Sequence, residues 1–132
     1  MSGPAAALIA FVLVTLAGSD SAFGGEPAAY GVAARGQGHY ATYCAACHGS
    51  KGGGDGPLAA MLVPRPPRHS DAARMDALSD EYLFRLLKDG GPALGRSALM
   101  NAWGKTLSEE QILDLIAFIR TLSRSRLPPS QP

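Results

Sequence analysis

A chain of 132 residues, 46% of them hydrophobic, is one domain by size and sits near the low end for a core that stands alone. Twelve Lys and Arg against eleven Asp and Glu leave a formal charge of +1, which excludes a nucleic-acid footprint and strong long-range steering.

Ala5 to Ala17 is an apolar run of thirteen residues, closed by Gly18-Ser19-Asp20-Ser21. That is short of the roughly 20 residues a membrane-spanning helix needs. Residues 1–24 therefore read as a secretory signal peptide, with small-x-small cleavage sites after Ser21 or Gly24. No Lys or Arg precedes the run, so a retained N-terminal anchor is the alternative. The expected location is the periplasm, with membrane contact only if the segment is kept. Residues 25–34 read as a flexible connector and 35–124 as the folded domain.

A helical pattern sets in at Val32 and runs to His48, despite Gly36 and Gly38 inside it. Glycine in a helix costs about 1 kcal/mol relative to alanine, which suggests close approach of another element. Tyr40 lies four residues from Gly36 and four from Cys44, on one face.

The same stretch ends in Cys44-Ala45-Ala46-Cys47-His48, a C-x-x-C-H motif. On a helix, residues three apart lie about one turn apart, so both thiols reach the two vinyl groups on one porphyrin edge. The motif predicts one haem c, covalent through Cys44 and Cys47, with His48 as the proximal nitrogen ligand. Three other readings compete. A thioredoxin-type C-x-x-C belongs in a βαβ setting, and no such pattern is present. A structural zinc site needs four ligands, and beyond these three only His39 and His69 remain. A plain disulfide would close a very short loop and leave His48 unexplained.

Gly49 to Gly56 is loop by composition. It lacks the Gly-Lys-Ser/Thr ending of a phosphate cradle and does not follow a strand. Pro57, Pro64, Pro66 and Pro67 make the stretch to Ser70 extended and stiff, suited to one side of a flat cofactor. The Pro64 carbonyl is the expected acceptor for the free ring nitrogen of His48.

Ser79 is the expected N-cap of a second helix, with Asp80 and Glu81 in its first turn, an inward stripe of Leu83, Leu86 and Leu87, and Gly90 at its end. The loop from Gly91 to Lys105 carries Met100 and Trp103. The last helix opens on a capping box, Ser108-Glu109-Glu110-Gln111, and runs to about Arg124. Ile112, Leu115, Ile116, Ile119 and Leu122 form its core stripe, with Phe118 on the flank. Residues 125–132 read as a disordered tail. No stretch alternates with period two, so the fold class is all-α.

In order and type these parts resemble a monohaem class I c-type cytochrome of the bacterial periplasmic cytochrome c family, over roughly Ala34 to Leu122. The resemblance rests on Gly36 and Tyr40 before Cys44-Ala45-Ala46-Cys47-His48-Gly49, then Gly54-Asp55-Gly56-Pro57, Gly90-Gly91-Pro92, Met100-Asn101-Ala102-Trp103-Gly104, and Leu107-Ser108-Glu109-Glu110-Gln111 leading to Ala117-Phe118-Ile119-Arg120. It implies the cytochrome c fold: three to four helices wrapped around one covalently bound haem, with N- and C-terminal helices crossing. Gly36 and Tyr40 then belong to one side of the crossing and Phe118 to the other.

The resemblance also implies Met100 as the second axial ligand. Met61 and Met75 are the rivals by residue type, and His69 is a weaker one; His39 lies on the same helix as Cys44 and does not readily reach the opposite haem face. The family usually has proline after this methionine, and here Asn101 stands there. Trp103 is expected to pack near the haem, its indole nitrogen donating to a propionate or simply filling core. With both axial positions taken, the implied role is a one-electron carrier or electron-transfer subunit rather than an enzyme. Its partners would be redox proteins, a periplasmic dehydrogenase or oxidase, bound transiently by a monomer. Lys51, Arg65, Arg68, Arg96 and Lys105 lie in segments that could surround the exposed haem edge. Two alternatives stay open: a ligand-binding or peroxidatic haem protein with a labile sixth ligand, and a membrane-anchored cytochrome subunit of a respiratory complex.

Overall fold

The computed structural model describes Met1, Gly3 and residues 31–124. Apart from those first two positions, the expected signal peptide lies outside the described residues, as do most of the connector and the tail. The described residues form five α-helices and two single-turn 3-10 helices, with no strand among them: α1 (Ala33–Tyr43), α2 (Ala45–His48), α3 (Ala72–Asp76), α4 (Asp80–Asp89) and α5 (Glu109–Arg124). The fold class is all-α, as expected.

The helix count exceeds the expected three to four for two local reasons. The helix expected to run unbroken to His48 is interrupted at Cys44, whose φ is stretched to −119° (ψ −37°) within the αR region before α2 resumes. In addition, Asp71 caps the five-residue α3 by accepting from the Arg74 N–H at 3.2 Å. So short a helix leaves no periodic pattern to read. The stretch expected to be extended also holds a 3-10 turn at Ala59–Met61, ahead of its clustered prolines.

The expected caps are present. The Ser79 hydroxyl accepts from the Tyr82 N–H at 3.1 Å, and Gly90 ends α4 at φ 82°, a conformation that favours glycine. At α5, the Ser108 N–H donates to Gln111 Oε1 at 2.9 Å and the Gln111 N–H to Ser108 Oγ at 3.2 Å, the reciprocal pair of a capping box.

Helices α1 and α5 cross with their backbones in close approach. A Cβ on Gly36 would stand 2.0 Å from the Asp114 carbonyl oxygen, so only glycine lets the axes come this near. Beside that point Tyr40 of α1 meets Phe118 of α5, ring centroids 5.2 Å apart. The core runs from this crossing through Ile112, Leu115, Ile116 and Ile119 of α5 to Leu83 and Leu87 of α4 and Met75 of α3. Each such side chain contributes about 1.5–3 kcal/mol by leaving water.

One buried charge sits within this frame. Asp114 is 2% exposed and accepts from the Val32 N–H at 2.6 Å and from Arg35 Nε and Nη2 at 2.7 and 3.0 Å. Helix α5 thereby holds the start of α1. The pairing draws the Asp114 carboxyl below its usual range, the Arg35 hydrogen bond being the largest cause. Arg120 plays a similar part at the other end of the core, donating to the Met75 and Leu78 carbonyls and to Asp80 Oδ1, the last at 2.7 Å. That fastens α3 and the start of α4 against α5.

Candidate functional site

A cavity of about 470 Å³ opens between α2, the proline-rich segment, α4 and the loop before α5. The short α2 and the break before it bring Cys44, Cys47 and His48 to one wall. No disulfide joins the two cysteines. Leu83, Leu86 and Leu87 of α4 line the cavity as well, and the loop contributes Met100, Asn101 and Trp103.

His48 is buried, and its Nδ1 lies 3.1 Å from a proline carbonyl. That carbonyl belongs to Pro67, which corrects the expected Pro64. The cluster of prolines shows that a stiff carbonyl-bearing segment faces the histidine, but only the path of the chain decides which carbonyl reaches it. Here the end near Pro67 is drawn in by the Ser70 N–H donating to the Gly52 carbonyl at 3.0 Å, while Pro64 lines the same cavity. A carbonyl can only accept, so Nδ1 carries the proton and Nε2 keeps its lone pair. Burial lowers the His48 pKa, with the Pro67 carbonyl opposing, which favours the neutral, metal-ligating form.

The rival chemistries of the C-x-x-C pair lose support. Burial, reinforced by Cys47, pushes the Cys44 thiol up to about 12. A thioredoxin-type centre needs a thiol whose pKa is lowered. Among the described residues no three His, Cys, Asp or Glu side chains gather where they could share a metal ion, so a zinc site lacks its ligand set.

The methionines separate by position. Met61 is 72% exposed on its 3-10 turn and does not line the cavity. Met75 lines it but is 2% exposed and packed in the core. Met100 lines it from the loop, half-buried, with its backbone tied on both sides: its carbonyl accepts from the Gly91 N–H at 2.9 Å and its N–H donates to the Ser97 carbonyl at 3.1 Å. Trp103 lines the cavity too, tilted against Tyr43 at 5.0 Å between centroids.

Two features of the lining escaped the sequence. The first is part of the charge: Arg65, Arg74 and Arg96 line the cavity and no carboxylate does, with Arg96 Nε donating to the Tyr82 hydroxyl at 2.8 Å. Arg65 and Arg96 were among the charges expected around the cofactor edge, whereas Lys51, Arg68 and Lys105 do not line the cavity and nothing in the residue pattern brought Arg74 there. The second is His69, whose ring stacks on that of His48 with centroids 4.1 Å apart and planes 14° from parallel. Burial, the neighbouring His48 and Arg74 push the His69 pKa down to about 3. His69 thus lies beside His48, not across the cavity from it. His39 stacks on Tyr43 and does not line the cavity.

Paired thiols one helical turn apart, an adjacent imidazole with a free Nε2, apolar walls and a purely cationic charged lining suit a flat, largely apolar macrocycle bearing acid groups. With the all-α fold, this places the molecule among the c-type cytochromes. Residues 31–119 match the family described as cytochrome c oxidase, cbb3-type, subunit III, and the chain belongs to that family. The family carries haem c and performs haem-based electron transfer. In structure the chain is similar to a chain of the reducing HAO-like protein complex of Kuenenia stuttgartiensis, with a TM-score of 0.56 and 26% identity over 76% of this chain. The match spans about half of that chain's length, 47%. No curated protein matches the chain in sequence.

Proposed function

We propose that the protein is a periplasmic one-electron carrier or electron-transfer subunit, and not itself an enzyme, with a single haem c attached through Cys44 and Cys47 and ligated by His48 and Met100. The observation that carries this reading is that Cys44, Cys47, His48 and Met100 all line one cavity, the first three from the end of the N-terminal helical segment and Met100 from the loop before α5. When bound, the haem supplies reversible one-electron transfer.

The protein's own residues set the conditions for that transfer. Pro67 holds the His48 tautomer that keeps Nε2 free to ligate. Leu83, Leu86 and Leu87 exclude water and favour the less charged state of the site. The Met100 sulfur is a soft donor, and the two backbone hydrogen bonds at this residue supply the firmness that a following proline would otherwise lend. Trp103 lines the same cavity, packed against Tyr43. Were His48 and Met100 both to hold the iron, no position would be left for oxygen or a gas ligand, which sets the ligand-binding readings second.

Export is supported by the apolar run at Ala5 to Ala17 and by the family's haem chemistry. Among the described residues no helix is long and apolar enough to cross a membrane. The partners we propose are redox proteins that a monomer meets transiently at the cavity mouth, where Arg65 and Arg96 stand with the exposed Leu99. The structurally similar chain from a protein complex lends support to partner proteins of this kind.

The test is the absorption spectrum of the holoprotein in both redox states, with and without carbon monoxide, for wild type and Met100→Ala. A weak far-red band in the oxidised wild type that the variant loses, with no carbon monoxide binding by the reduced wild type, is the expected result. Ready carbon monoxide binding by the wild type would overturn the assignment of Met100 and favour the ligand-binding reading.

A further inference from the structure

His48 is gripped twice by one short segment. The Pro67 carbonyl accepts from its Nδ1–H, with Nδ1 and oxygen 3.1 Å apart, and two residues on, His69 covers one face of its ring at a centroid distance of 4.1 Å. A single hydrogen bond at one ring atom leaves the imidazole able to swing about that bond. A parallel ring in contact blocks the swing on one side.

His69 is itself held. Tyr40 Oη lies 3.1 Å from His69 Nδ1 and 3.1 Å from the Gly49 carbonyl oxygen. A hydroxyl has one proton and the carbonyl can only accept. Tyr40 therefore donates to Gly49, and its oxygen accepts from the Nδ1–H of His69. Tyr40 is 1% exposed and lies against Phe118 at the α1–α5 crossing. At the base of the side chain, a Cβ on Gly52 would come within 2.9 Å of His69 Cβ, so the glycine loop lies directly against this residue. A continuous line of contact runs from the helix crossing through Tyr40 and His69 to the His48 ring.

We propose that His69 is a positioning residue that fixes the plane of the His48 imidazole, with Tyr40 as its anchor. The inference rests on the reading of His48 as an iron ligand.

The test is the proton NMR spectrum of the oxidised holoprotein, because the order and spacing of the four haem methyl resonances follow the orientation of the axial imidazole plane. His69→Leu is expected to rearrange them, and His69→Phe, which keeps a flat ring against His48 but loses the hydrogen bond to Tyr40, to depart from the wild-type pattern less than His69→Leu does. An unchanged pattern in His69→Leu, or a Phe variant that departs as far as the Leu variant, would overturn the proposal. Where His69→Leu yields no holoprotein, Tyr40→Phe decides: it keeps the ring against Phe118 but releases His69, so the methyl pattern should move, and a wild-type pattern overturns the inference. A wild type without the absorption spectrum of a histidine-ligated haem would instead sink the assignment of His48, which separates the two failures.

Discussion

Gly36 lies directly against Asp114: a Cβ at position 36 would sit 2.0 Å from the Asp114 carbonyl oxygen and 2.5 Å from its carbonyl carbon. Both atoms are backbone within a helix, so neither yields by rotating a side chain. Gly36→Ala should force α1 and α5 apart and destabilise the protein by about 1–3 kcal/mol, the usual range for overpacking. Thermal unfolding followed by circular dichroism checks this, with a fall of roughly 4–8 °C in Tm per kcal/mol for a domain of this size. Gly38, with nothing within 4 Å of the same construction, should accept alanine without loss.

The buried carboxylate of Asp114 makes stability depend on acid. Its pKa in the folded state lies below the unfolded value of about 3.9, through the Arg35 hydrogen bond first and with burial opposing. The stabilisation is therefore fully present above about pH 4 and is lost as the pH falls through the folded value. Urea midpoints measured from pH 7 to pH 2 should drop on the acid side in the wild type. Asp114→Asn should lower the midpoint at pH 7, by about 1–3 kcal/mol, and show a shallower drop in acid.

The two methionines of the cavity should part company when truncated. Met75→Ala removes a side chain that is 2% exposed and should cost about 2–5 kcal/mol of stability while leaving the far-red band in place. Met100→Ala is expected to do the reverse, with a smaller loss of stability and loss of the band. Denaturation and absorption spectra on the same samples distinguish the two, and a Met75 variant that loses the band while Met100→Ala keeps it would reassign the ligand.

Ser79 Oγ holds the Tyr82 N–H at the start of α4, the helix that presents Leu83, Leu86 and Leu87 to the cavity. Ser79→Ala should cost about 1 kcal/mol, the typical value of an N-cap. Ser79→Asp should restore it, because aspartate caps as well as serine does. Chemical denaturation of the three proteins side by side checks both expectations.

What was legible in the residues is what short-range physics encodes. The caps at Ser79 and Ser108 are local hydrogen bonds between residues three apart, so they appear in the sequence as spacing. The stripe of Ile112, Leu115, Ile116 and Ile119 is a helical period and is buried as that period requires. Gly36, Tyr40 and Phe118 came to the crossing as the family resemblance implied. The short α3, by contrast, is too brief for periodicity, and Met75 looked no different from Met61 until one proved core and the other surface.

By itself the sequence determined the chemistry: two thiols and an imidazole within five residues, a methionine on the loop before the last helix, and enough helical pattern to close around them. Only the tertiary structure decided the partners. Which proline carbonyl meets His48, that His69 stacks on its ring, that Asp114 holds the start of α1, and that three arginines share one cavity are each matters of distance between residues far apart in the chain. Local spacing carries no information on such distances; they are set by how the helices cross and where the loops between them are tied.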